Sequence, residues 1–410
     1  MRKIYDMLDC VRLLLCVLLL ALAPGRVCAQ AAACDGGADS LQTQGADSLA
    51  LHPSEDFVRA YVIVASPGEI LYSALGHAAL RLECPAYGLD YIYSYEGEDT
   101  RDNILRFFAG KLQMRVGTAP TREYLQPYAV EGRGVVAYEL HLPVAVKQRL
   151  WKQMDERVLE PPVPYDYMNR GCAISVSHWI RAAVDPDSLC FAPWPDKFRR
   201  TRKEMGSDSL HNEWTNFVLA TITSGDAEDT DIPYVERITV PMELVEVMQN
   251  ATAYGHPLLS RRPVTLLSQQ REVCEPRFTP LHVALLFLLL SLCNLRLHSR
   301  CIRVFVWGFQ FLFSMFVTYL VVFSSLPCTQ WNWLLIPFNP LVVLLWRWRR
   351  HICIPYAAVC VLWVVGMIAN PHRIVIPAHY VLVMSLAAAA IELWPGWDRW
   401  TRDVWHRRKG

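Results

Sequence analysis

None of the 13 cysteines in this 410-residue chain forms a Cys-x-x-Cys pair, and no histidine–cysteine cluster has zinc-ligand spacing. The sequence therefore offers no ligand set for a structural metal. It also lacks an excess of either charge. Forty basic residues against 39 acidic ones leave a formal net charge of +1. Such a balance gives no reason to expect nucleic acid or an acidic partner. Charged residues are few, at 19%, whereas 53% of the residues are hydrophobic. That is too apolar for one soluble domain. The apolar residues gather toward the two ends, so the chain reads as a soluble domain attached to a membrane domain.

The first end has the form of a secretory signal over residues 1–29. Arg2 and Lys3 give a basic start, Val11 to Ala23 an apolar core, and Val27-Cys28-Ala29 a small-residue cleavage site. An uncleaved anchor is the alternative, and either form puts the adjoining domain outside the cytoplasm. Residues 30–55, rich in Ala, Gly, Asp, Ser and Gln, read as a flexible linker. The exported part, 56–279, keeps Cys34 upstream of it and Cys84, Cys172, Cys190 and Cys274 within it. An odd number of cysteines in a disulfide-permitting compartment leaves at least one thiol unpaired there, and a Cys84–Cys190 bridge is an open question.

Short β-branched or aromatic runs predict strands at Tyr61–Ala65, His77–Leu82, Tyr91–Tyr95, Gln113–Val116 and Val135–Leu142. Helical spacing predicts helices at Asp102–Ala109, Val144–Val158, Leu210–Ile222 and Pro241–Gln249. A basic segment, Lys197–Lys203, and an acidic loop, Asp226–Asp231, separate some of these. The expected class is α+β. Residues 280–396 then read as an all-α transmembrane domain of about five helices: Leu281–Asn294, Val304–Ser324, Trp333–Trp346, Ile354–Ala369 and Ile374–Trp394. The first and third are short, so one of them is a candidate re-entrant segment. Arginines lie between spans one and two (Arg296, Arg300, Arg303), between three and four (Arg347, Arg349, Arg350), and in a basic tail over residues 397–410. The positive-inside rule puts that tail in the cytoplasm and the exported domain on the other side.

Chemistry points to the stretch from Tyr165 to Val184. Its first half is polar and turn-like. Its second half repeats Ile174, Val176, Trp179, Ile180 and Ala183 at helical spacing. Cys172, directly after Gly171, therefore starts a helix, where free N–H groups and the dipole favour a thiolate. A thiolate nucleophile needs a base, and histidine suits neutral pH. His178 is on the same helix but about 240° round from Cys172 at 3.6 residues per turn, so it faces away. His77, opening a strand, is the better candidate, and His141 and His211 have no supporting pattern. Asp90, at the start of the next strand, is the expected third group that orients the imidazole, with Tyr93 and Tyr95 as alternatives.

The ordered set Ser66-Pro67-Gly68-Glu69, Leu75-Gly76-His77-Ala78-Ala79-Leu80-Arg81, Phe108-Ala109-Gly110-Lys111-Leu112, Glu131-Gly132-Arg133 and Tyr165-Asp166 before Cys172 resembles the Lnb-type N-terminal periplasmic domain family of bacterial membrane proteins. In the apolar half, Leu326-Pro327-Cys328-Thr329, Asn332-Trp333-Leu334-Leu335 and Asn339-Pro340-Leu341 look like the same family's membrane signature. The resemblance implies a circularly permuted papain-like (NlpC-type) domain with His77 as base and Cys172 as nucleophile. It also implies lipoprotein N-acylation without a cofactor. The acyl donor would be a phospholipid or a lipoprotein diacylglyceryl group, and the acceptor a lipoprotein, at the outer face of the bacterial inner membrane. This chain departs from the family at Gly171, where asparagine is usual, and at Ala173-Ile174, where a small hydroxyl residue is usual. Two other functions fit a papain-like core: a cysteine peptidase or amidase acting on cell-wall peptides, and a non-catalytic membrane scaffold.

Overall fold

The computed structural model describes residues 57–69, 71–97, 103–166, 169–192, 210, 212–225, 234–236, 238–271, 276–370 and 375–397. The signal, the linker with Cys34, Lys197–Lys203, His211, Asp226–Asp231, Cys274 and the tail beyond Trp397 lie outside the described residues.

Strands β1 (Arg59–Ala65), β2 (His77–Cys84), β3 (Leu89–Gly97) and β4 (Gln113–Pro120) form an antiparallel meander, broken only by the short helix α1 (Ile104–Phe108). After helix α2 (Thr121–Glu131), strand β5 (Val135–Glu139) pairs with the free edge of β1. Helix α3 (Val144–Val158) leads to β6 (Val163–Pro164), which extends the sheet beyond β4. Helix α4 (Cys172–Ala183) follows. Three short strands, β7 (Leu189–Phe191), β8 (Ala251–Ala253) and β9 (His256–Pro257), make a small separate sheet. Strand β10 (Val264–Leu267) closes the main one, whose order is β10-β5-β1-β2-β3-β4-β6.

Period-2 alternation sends the two sets of side chains to different layers. Val62, Val64, Ala78, Leu80 and Leu82 point to the face that α3 and α4 cover with Leu150, Ile174, Val176 and Ile180. Each fully buried aliphatic side chain there contributes about 1.5–3 kcal/mol. Tyr61, Ile63, Ala79 and Ile92 point to the other face, against Tyr124, Leu125 and Tyr128 of α2. The α+β class expected from the sequence is the class observed.

The second half is helical. Helix α5 (Glu213–Thr223) and helix α6 (Pro241–Gln249) precede α7 (Pro280–Leu297), α8 (Arg300–Phe323), the single turn α9 (Leu341–Leu344), α10 (Arg349–Ala369) and α11 (Pro377–Glu392). Among the described residues three stretches, Pro280–Leu297, Arg300–Phe323 and Trp346–Ala369, are long and apolar enough to cross a membrane, and Pro377–Glu392 is a shorter apolar helix. The expected third span is not a continuous helix. Trp333–Leu335 and Trp346–Trp348 are 3-10 turns on either side of α9, because Pro337 and Pro340 remove backbone donors. The broken segment nevertheless runs back along α8, with Asn339 at Gln310 and Trp346 against Trp307. Non-helical backbone at such depth must find partners inside the protein. Here Tyr356 donates to Pro337 O (2.5 Å), Trp363 Nε1 to Trp333 O (2.7 Å) and Gln310 Nε2 to Asn339 O (3.1 Å). Asn332 and Asn339 each accept a backbone N–H two residues on.

Helix α5 differs from expectation in where it packs. The sequence groups it with the exported domain, yet it sits among the apolar helices. Phe217 stacks on His379 at 4.6 Å, Thr221 Oγ1 lies 2.9 Å from His379 Nε2, and Asn332 Nδ2 donates to Thr221 O at 2.8 Å. His379 is fully buried, and His372 lies outside the described residues.

Candidate active site

The loop from Ser66 to Gly76 delivers His77 to the first position of β2, opposite Ala65. Gly76 makes this possible: its φ is +85°, and a Cβ there would meet the Ala65 carbonyl at 2.7 Å. His77 Nε2 lies 2.8 Å from Ser94 Oγ, and Ser94 is buried in the neighbouring strand β3. Beyond Ser94 the polar chain continues at looser range to Tyr124 OH (3.5 Å), which is 2.9 Å from Tyr128 OH. Arg133 stacks on the Tyr128 ring at 4.8 Å and donates from Nε to Ser66 O at 2.8 Å.

Cys172 is the first residue of α4. Its predecessor Gly171 supplies no side-chain cap, so the first-turn N–H groups stay available. The backbone N–H groups of Ala78, Ala173 and Cys172 itself favour the thiolate form of the sulfur. Ala78 is the residue after His77. Thiol and imidazole are thus brought to the same end of β2, from residues almost a hundred positions apart.

Both groups retain some contact with solvent, but their ionisable atoms are deeply enclosed. Burial pushes the Cys172 thiol above its ordinary value, in spite of the three N–H groups that favour the thiolate. Burial, and secondarily the Arg133 charge, lowers His77 to about 4. A helix N-terminus taken alone predicts a lowered thiol. A dipole is worth roughly 0.3–1 kcal/mol, and desolvation of a buried charge exceeds that. At rest both the thiol and the imidazole are therefore neutral.

Asp90 is not at this site. Its carboxylate takes Arg81 Nε (2.7 Å), Arg81 Nη2 (2.9 Å) and Thr121 Oγ1 (2.5 Å). The reason is the register. In an antiparallel hairpin the start of β3 meets the end of β2, so Asp90 pairs with Glu83, six residues from His77. Tyr93 and Tyr95 point to the opposite face, where Tyr93 OH bonds the Asp155 carboxylate. Ser94, between them, occupies the orienting position. His178 is held at the surface by Glu236 (2.7 Å), and His141 by Pro257 O (3.2 Å). Cys84 and Cys190 are unpaired.

Residues 55–200 match the family model of the Lnb N-terminal periplasmic domain. That segment belongs to this family. Its span contains both His77 and Cys172. No curated protein and no solved structure matches the chain. A periplasmic domain joined to candidate membrane helices makes this a membrane protein with a periplasmic part.

The Lnb-type domain meets the apolar helices beside the thiol. Tyr165 is within electrostatic range of Cys172 and of Cys328, from the loop after α8. It packs in one apolar cluster with Phe107, Leu112, Ile222, Leu320, Leu326 and Cys328. The loop is fastened to the Lnb-type domain by Ser325 N donating to Ala109 O (2.9 Å) and by Tyr319 OH of α8 donating to Leu105 O (2.9 Å). Sequence reasoning missed Ser94, Tyr124 and Tyr128 at the site. Tyr124, Leu125 and Tyr128 do stand at helical spacing, but Pro127 within the run hides α2.

Proposed function

We propose that this protein is a lipoprotein N-acyltransferase of the bacterial inner membrane, with its thiol on the periplasmic side and its helices crossing the bilayer several times. The observation that carries the reading is where Tyr165 packs: seven residues before Cys172 and within its electrostatic range, it joins Leu326 and Cys328 of the apolar half in one cluster. Both substrates of such a reaction reside at the membrane surface, and a thiol for soluble peptides has no need of that position. A histidine on a strand and a later cysteine starting a helix against that strand also agree with a circularly permuted papain-like core.

The chemistry follows from two neutral groups. With Nε2 engaged by Ser94, Nδ1 of His77 is the nitrogen left to take the thiol proton. The Cys172 sulfur attacks the carbonyl carbon of a glycerol ester as that proton leaves, because neither group is charged beforehand. The C–O bond breaks, the imidazolium returns its proton to the departing alkoxide, and a thioester remains on Cys172. The α-amine of a diacylglyceryl-cysteine then attacks the thioester. An amide forms, the C–S bond breaks, and the amine's proton passes through His77 back to sulfur. The N–H groups of Ala78 and Ala173, which favour negative charge at Cys172, are the candidates to stabilise an oxyanion.

Replacing Cys172 by Ala should abolish N-acylation of lipoproteins, read as intact lipopeptide mass in cells that rely on this gene. Unchanged lipopeptide mass sinks the proposal. Release of peptides from purified cell wall by the unaltered protein, with no lipid transfer, would favour the peptidase instead.

A further inference from the structure

Helix α8 has two stripes of different character. Val306, Gln310, Ser314 and Val317 are fully buried and make the bundle contact. Beside them Phe305, Phe309, Phe313 and Phe316 recur at helical spacing, and each is only partly buried. The phenylalanines pack on the edge of the bundle core, Phe313 meeting buried Phe338 at 4.5 Å and Phe217 at 6.0 Å. The phenylalanines form a continuous run along the margin. Phe287 of α7 stacks on Phe305 at 4.9 Å and meets Phe309 at 4.5 Å. Phe309 stacks on Phe313 at 5.8 Å, and Phe313 meets Phe316 at 6.4 Å.

The run does not stop at the helix. Phe316 meets Phe108 of the periplasmic part edge-on at 5.2 Å. Phe108 meets Phe107 at 5.7 Å, and Phe107 stacks on Tyr165 at 6.1 Å. Tyr165 stands seven residues before Cys172 and within its electrostatic range. From Phe305 to Phe316 the run covers about 16 Å of helix axis at ~1.5 Å per residue.

We propose that this aromatic margin is the wall along which the acyl chain of the donor lies, with its ester carbonyl at Cys172. The assignment rests on the acyltransferase reading. An ester presented to the sulfur from the bilayer must extend its chain away from the thiol and into apolar surroundings. The aromatic margin is the described surface that begins beside the sulfur and continues down α8. Phe108 and Phe316 flank the first carbons, and Phe309 and Phe313 the later ones, so the deeper pair sets chain length.

The test uses the full chain in vesicles with a lipoprotein acceptor and phospholipids of short and long defined chains. The acceptor's own chains differ in length from both, so the transferred mass also tells which glycerol ester donates. Phe309→Trp should lower the ratio of long to short chains transferred at least about tenfold, and Phe309→Ala should raise it. A wild-type ratio in both variants overturns the chain assignment and leaves the acyltransferase reading standing. No transfer by the unaltered protein overturns both. A second measurement needs no variant: a lipid carrying a photoreactive group near its chain terminus should label residues 300–323. Labelling confined to other peptides overturns the assignment.

Discussion

At the scale of single residues, the site is a competition between burial and polar contact. Three backbone N–H groups favour a thiolate at Cys172, and burial outweighs them. Alkylation of Cys172 should therefore be slow at neutral pH and rise only above the ordinary thiol range, followed by peptide mapping. His77 gives the acid side. Its pKa is depressed from 6.5 to about 4, so the neutral ring is the form the fold prefers. That preference contributes in full above pH 6.5, erodes as pH falls toward about 4, and is constant below. Thioester formation on Cys172, read as trapped acyl-enzyme before any amine acceptor is added, should accordingly hold down to near pH 4, and an acid limb near 6.5 in that half-reaction would contradict an enclosed imidazole. Ser94 and Asp90 separate orientation from stability. Ser94→Ala should lower kcat roughly ten- to a hundredfold with the melting temperature little changed, because only the ring's aim is lost. Asp90→Ala should do the reverse, costing about 1–2 kcal/mol of stability through Arg81 while kcat stays.

At the scale of elements, the decisive fact is strand register. The alternation that buries Leu80 and Leu82 against α4 puts His77 on the other face, with Ser94 and the tyrosines of α2. Cys172 and His77 come to the same end of β2 because α4 begins there, with the Ala78 N–H favouring the thiolate of Cys172. The tie between the periplasmic part and the apolar helices is equally local. Gly110 has φ +65°, and a Cβ there would meet Leu326 Cγ at 2.7 Å. Gly110→Ala should loosen the Ser325–Ala109 contact. Faster proteolysis or hydrogen exchange across residues 324–330, with the sheet's protection unchanged, is the expected readout.

At the scale of the whole molecule, the apolar half is closed at the end remote from the thiol by a buried charge. Glu392, 1% exposed, bonds Arg303 Nε at 2.9 Å, Arg303 Nη2, and His298 Nδ1 at 3.3 Å, joining α8 to α11. Removing one partner leaves the other charge uncompensated. Glu392→Ala should cost about 3–5 kcal/mol and lower the melting temperature in detergent. Nearby, Trp397 Nε1 donates to Leu295 O at 2.9 Å, so the start of the basic tail is packed on α7. The remainder of that tail lies outside the described residues.

Composition and periodicity determined the class of the protein, its division into polar and apolar halves, and helices as well bounded as Val144–Val158 and Pro241–Gln249. They also singled out His77, because it opens a strand, and Cys172, because it follows a glycine and starts a helix. The partner of His77 was not legible. Asp90 is nearer to an imidazole's usual companion in kind, but register, a property of two strands together, aligns Ser94 there. The ionisation state was also tertiary, since it depends on how many atoms surround a group. So was the packing of α5, which the sequence groups with the exported domain and whose Phe217 and Thr221 meet His379 of the apolar helices while Ile222 joins Phe107 and Leu112.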